Sequence, residues 1–134
     1  MLYNSSMALT ALELPPSALK RYHPARRRSL TSAEHTTLSK RRRRAIVTAR
    51  KAAELLRTEF GAKKVFVFGS LARRGGFTSW SDIDIAAKGI PPKRFYEAVG
   101  VIAGLSAEFK IDLIDIESSS DSMRRTIEAE GKSL

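Results

Sequence analysis

The sequence predicts an α+β fold, a small mixed or antiparallel sheet of about three to four strands with helices packed on one face. Three observations carry the expectation. A helical apolar period runs from Leu38 to Phe60, three short β-rich segments follow it at "KKVFVFGS", "SDIDIAAKG" and "KIDLIDIES", and further helical periods fall between and after them. The strands are too few for a doubly wound nucleotide fold. The first two are joined by a compact loop rather than a crossover helix, so they are expected to pair antiparallel.

Taken in order, residues 1–38 contain "LPPS", "HPARRR" and "SLTSAEHTT", with prolines that interrupt a helix and no sustained apolar period. They read as a basic, partly ordered leader, with Met7 a second candidate start, and residues 39–134 as the folded domain. Ala45, Ile46, Ala49, Ala52, Ala53, Leu55, Leu56 and Phe60 fall on or near one face of the first helix, which ends at Gly61 as its C-cap. Its first turns carry "KRRRR" at residues 40–44. Positive charge at a helix N-terminus opposes the macrodipole, so helix stability does not account for it. Pro91 and Pro92 open a second helix with Phe95, Ala98, Val99, Ile102, Ala103 and Leu105 at helical spacing, and an N-cap cluster "SSSD" opens a third.

The 134 residues suit one domain with one ordinary core. The absence of cysteine excludes disulfides, thiolate metal sites and a cysteine nucleophile, and a reducing cytoplasm is the expected compartment. No apolar run is long enough to span a bilayer, and no signal peptide or membrane association is expected. The formal charge of +10 is unevenly placed: residues 1–64 hold 15 Lys/Arg against 4 Asp/Glu, and residues 65–134 hold 9 against 10. Nucleic acid is therefore a candidate partner only through the basic N-terminal half. His23 and His35 have no acidic cluster nearby in sequence and are read as surface residues.

The chemistry lies in "FGSLARRGGFTSWSDIDIA". Side chains two apart on a strand share a face, so Asp82 and Asp84 stand together while Ile83 and Ile85 turn into the core. Paired carboxylates repel and are costly to desolvate unless a cation neutralises them, and an all-oxygen set suits Mg²⁺ or Mn²⁺. A third carboxylate is available on the last strand. Asp112 and Asp115 must face opposite ways there, and Asp112, embedded in the apolar run, is the better choice. Two metal ions held by three carboxylates can activate an attacking hydroxyl and steady a departing pyrophosphate. Gly69 permits a tight turn and Ser70 adds a hydroxyl, together a candidate phosphate cradle. Arg73 or Arg74 can meet phosphate with a planar donor fork. Ser81, at the strand entry, is a further nucleotide-binding candidate, and Trp80 is expected to cover the loop.

These residues, with "KIDLID" downstream, resemble the minimal nucleotidyltransferases of the DNA polymerase β superfamily, over roughly residues 45–131. Gly69 and Ser70 match the phosphate-binding pair, Asp82 and Asp84 the metal pair, and Asp112 the third ligand. The spacer between Ser70 and Asp82 is one residue longer than in many relatives, which leaves Arg73 and Arg74 as alternatives. The resemblance implies a metal-dependent nucleotidyltransferase using two Mg²⁺ ions and moving AMP from ATP onto a hydroxyl. It further implies an antitoxin whose partner is a HEPN-type toxin modified on a tyrosine. Two other readings compete: a non-catalytic docking module of such a pair with affinity for nucleic acid, and a nucleotidyltransferase acting on a small molecule such as an aminoglycoside.

Overall fold

The structure is a computed structural model describing residues 29–134. The leader's prolines, Met7 and His23 lie outside the described residues. The compact unit that carries the site is His35–Leu134.

Helix α1 is Ser32–Phe60, beginning before the apolar period does. The reason is local: Thr31 and Glu34 form a reciprocal capping box, Glu34 N–H donating to Thr31 Oγ1 at 3.1 Å and Thr31 N–H to Glu34 Oε1 at 2.8 Å. At the other end Gly61 adopts φ +76°, and Ala62 N–H returns to the Leu56 carbonyl at 3.0 Å, the closure expected of a glycine C-cap. Strand β1 (Lys64–Phe68) follows, then a 3₁₀ turn at Gly69–Leu71, a loop, and strand β2 (Ile83–Lys88). Helix α2 (Pro92–Ala103) leads to β3 (Ile111–Asp115), and helix α3 (Asp121–Glu130) to a two-residue strand β4 (Lys132–Ser133).

The sheet order is β3-β2-β1-β4. β1 pairs antiparallel with β2, as the compact connection requires, and β2 pairs parallel with β3 across the α2 crossover. β4, absent from the sequence-based expectation, pairs with Phe66 and Val67 along the far edge of β1. Two residues carry too little pattern to read as a strand.

Strand alternation divides the side chains between two faces. Val65 and Val67 of β1, Ile83, Ile85 and Ala87 of β2, and Ile111 and Leu113 of β3 are buried beneath α1 and α2. α1 meets them through Ala45, Ala49, Ala52 and Ala53, each no more than 1 % exposed, and through Leu56 and Phe60. Most of the buried side chains of α1 are therefore small. α2 contributes Ala98 and Ile102 to the same layer. The opposite face holds a smaller cluster in which Phe68, Ala86 and Ile127 are buried with Met123 and Ile114 against them, so α3 packs there and the helices are not confined to the one face expected from the sequence.

The full burial of Ala49 gives a direct check. Ala49→Leu should lower unfolding free energy by about 1–3 kcal/mol through overpacking, read as a shifted urea midpoint with unchanged slope. An unshifted midpoint would contradict the packing of Ala49 in the core.

Candidate functional site

The face bearing α3 also carries the charged residues. β3 is aligned with β2 so that Asp84 and Asp112 are direct register partners, flanked by Ile83 with Ile111 and Ile85 with Leu113. Both carboxylates therefore stand on the same side of the sheet, and Asp82, one residue ahead of β2, is two positions before Asp84. Asp115 takes the other side, as alternation demands. It caps the following 3₁₀ turn, accepting from Glu117 N–H and Ser118 Oγ, each at 3.1 Å.

Asp84 registers the resulting field. Partial burial, then the neighbouring charges of Asp112 and Asp82, push its carboxyl up to about 6, against which Arg73 and Lys110 act weakly. Among the described residues no hydrogen bond to this carboxyl offsets the burial. Lys110 Nζ lies 3.9 Å from Asp112 Oδ1 and is an exposed, loose counter-ion. Among the described residues no three acidic or histidine side chains are already closed around a point that could hold an ion. The donor set nevertheless fits a hard divalent cation: oxygen only, drawn from rigid neighbouring strands, and short of positive charge.

The phosphate-turn candidate abuts this pair. Phe68 is opposite Asp84 in the β1–β2 register, so the turn at Gly69–Leu71 begins beside it. Gly69 has φ +71°, and a Cβ there would run into the Asp84 carboxylate. The glycine thus serves two needs at once, a left-handed turn and room for Asp84. Ser70 is half-buried in that turn. Of the two arginines, Arg73 is near enough to Asp84 to influence it and is paired with Glu130 of α3 at 3.3 Å, whereas Arg74 is exposed.

The loop before Asp82 is internally braced. Thr78 N–H donates to Ser81 Oγ at 2.9 Å, the two hydroxyls are 3.1 Å apart, and Trp80 N–H donates to Thr78 Oγ1 at 3.1 Å. The Ser81 hydroxyl is thus already engaged within the loop. Trp80 does not cover it: the ring is 84 % exposed. Phe77 is the buried anchor instead. A cleft of about 600 Å³ is lined by Asp84 and Asp112 together with Phe68, Val99, Ile114 and Met123.

Sequence reasoning did not find the partners that come from afar. Lys110 could have been found, being two residues before Asp112 on the same side of the strand. Arg41 and Arg42, some 30 to 40 residues before the loops they touch, carried no such signal.

The family model described as polymerase beta, nucleotidyltransferase, matches residues 50–134. No curated protein matches the chain. Among solved structures, one of a toxin–antitoxin with AMP-PNP is 26 % identical, with a TM-score of 0.54, covering 63 % of this chain and 70 % of that chain. A mutant of the toxin–antitoxin MntA–HepT pair is 28 % identical, with a TM-score of 0.52 over 63 % of this chain and 69 % of that one. A tri-AMPylated Shewanella oneidensis HEPN toxin in complex with MNT antitoxin shares the fold at 24 % identity and a TM-score of 0.50, over 66 % of this chain and 70 % of that one.

The raised carboxyl of Asp84 sets a pH signature in metal-free protein. Its folded value exceeds the unfolded value of about 3.9, so ionisation weakens the fold as pH rises through about 6. Asp84→Asn should therefore be more stable than wild type at pH 7.5, by on the order of 1 kcal/mol once solvent screening is allowed for. The advantage should close as pH falls from 6 towards 4. Thermal unfolding in chelator across that range checks it, and a pH-independent difference would rule it out.

Proposed function

The chain belongs to the polymerase beta nucleotidyltransferase family, and we propose that it transfers the nucleoside monophosphate of ATP, with divalent metal ions, onto a hydroxyl of a partner protein. The observation that carries the reading is the register pairing of Asp84 with Asp112, beside a turn whose glycine leaves room for the Asp84 carboxylate. In this reading residues 39–134 form the transferase domain.

Asp82, Asp84 and Asp112 would hold two Mg²⁺ ions, for which Mn²⁺ can substitute. Bound there, such ions supply neutralisation of the carboxylates and polarisation of the triphosphate. Backbone N–H groups of the Gly69–Leu71 turn and the Ser70 hydroxyl orient the phosphates, and Arg73, released from Glu130, adds a charged donor. Arg74 and Ser81 stand at the margin of that binding surface. The acceptor approaches on the Asp112 side, where the carboxylate takes its hydroxyl proton. The hydroxyl oxygen then bonds to the α-phosphorus, and the bond to the leaving pyrophosphate breaks. Strands β2 and β3 hold Asp84 and Asp112 in place, which reduces the reorganisation needed at the moment of transfer.

The acceptor we infer is a tyrosine of a HEPN-type toxin, with this chain its antitoxin. Support comes from the similar structures, one a toxin–antitoxin with AMP-PNP and another a tri-AMPylated HEPN toxin with its MNT antitoxin. A cytoplasmic setting agrees with this role; among the described residues no helix is long and apolar enough to cross a membrane.

Incubation with labelled ATP, Mg²⁺ and the product of the neighbouring reading frame should label that product, and chelation should stop the reaction. Asp82→Asn and Asp84→Asn should each reduce transfer by about 100-fold or more while the protein stays folded. Undiminished inhibition of the partner by these variants would identify docking as the mechanism, and transfer to an aminoglycoside but not to protein would identify a small-molecule enzyme. Gly69→Ala should also lose transfer, because its Cβ and the Asp84 carboxylate compete for one place. Full activity in that variant would refute the assigned role of the turn.

A further inference from the structure

With α1 beginning at Ser32, the arginine run lies more than two turns inside the helix rather than at its N-terminus, and most of it is occupied. Arg44 forms a bidentate pair with Glu108, with Nη2 to Oε2 at 2.6 Å and Nε to Oε1 at 3.0 Å. Arg42 Nη2 donates to the Leu71 carbonyl, at the end of the phosphate-turn candidate, at 3.4 Å. Arg41 is partly buried, its side chain 18 % exposed. Its guanidinium carbon lies 4.7 Å from the Phe109 ring centre and 5.5 Å from that of Phe77, while Nε donates to the Thr78 carbonyl at 3.3 Å and Nη2 to the Ser81 carbonyl at 3.2 Å.

We propose that Arg41 is a positioning residue for nucleotidyl transfer, clamping the loop that delivers Asp82; this rests on the function proposed above. The Ser81 carbonyl and the Asp82 nitrogen share one peptide plane, so holding that carbonyl orients the Asp82 backbone. One residue further on, Ile83 N–H donates to the Lys110 carbonyl at 2.9 Å. Asp82 is therefore bracketed, by Arg41 before it and by the β2–β3 pairing after it. The bracket is needed because residues 73–82 contain no regular strand or helix and bury only Phe77. A planar fork can address two carbonyls three residues apart while lying over aromatic rings, which the point charge of lysine cannot do. Arg42 acts alongside on the turn, so consecutive residues of one helix hold both loops that flank the Asp84 carboxylate.

Trp80, the only tryptophan of the chain, sits inside the clamped segment and reports on it. The experiment compares time-resolved Trp80 anisotropy, thermal unfolding and steady-state kinetics of wild type, Arg41→Lys, Arg41→Gln and the exposed control Arg50→Lys. Both Arg41 variants should show a faster local rotation of Trp80, and the control should not. Their kcat should fall about tenfold to a hundredfold, with KM for ATP moving by less than about threefold. Unchanged anisotropy in folded variants overturns the clamp. Faster rotation with intact kcat overturns the positioning role, since the loop would then be held without consequence for transfer. Wild type that transfers nothing strikes the transferase reading instead, and the anisotropy still decides whether Arg41 holds the loop.

Discussion

Asp84 and Asp112 are brought opposite each other by the parallel pairing of β2 and β3, with Asp82 two residues upstream, and protein cations near them are few and loosely held. Three like charges on one face of a small sheet oppose folding unless their positions are fixed by something stronger. Here that is the apolar layer on the reverse side, where Ile83, Ile85, Ile111 and Leu113 are buried in the same register. The alternation that hides the isoleucines is the alternation that exposes the aspartates. A slip of one residue would reverse both, so core burial and the site select the same register.

The rest of the architecture follows from serving that face. The buried alanines anchor α1 in the core, and the arginines of its N-terminal half reach two segments on the site's edge. Gly69 accepts a left-handed conformation in the place where a side chain would displace Asp84. Arg73 is shared between the site and Glu130 of α3, linking the helix of the second cluster to the carboxylates. Charge that looks like a diffuse basic surface in the sequence is, for Arg41, Arg42 and Arg44, spent on defined carbonyl and carboxylate partners.

Much of this was legible in the order of residues. The fold class, the three main strands and the sidedness of Asp112 against Asp115 follow from local periodicities of two and 3.6, the antiparallel first pair from its compact connection, and the C-cap from Gly61. α1 starts at Ser32 because a capping box extends it beyond its apolar face, a local signal carried by "TSAE" rather than by the apolar period. The rest depends on contacts between distant positions. Trp80 was expected to lie over its loop, yet Phe77 fills that role, since Phe109 offers it a ring at 6.2 Å. The short β4 and the placement of α3 on the second face depend on how the C-terminal residues return to β1, which no period encodes.

The crossover through α2 has a consequence for how the protein is made. Asp82 and Asp84 lie beside the β1–β2 hairpin, whose closure spans only nearby residues, while Asp112 arrives on a strand that pairs in parallel after a helix-long excursion. Contacts of that separation are entropically the later ones to form. A nascent chain that has closed its hairpin thus owns the Gly69–Leu71 turn and two acids but no third, and the complete trio comes into being only when the parallel pairing locks.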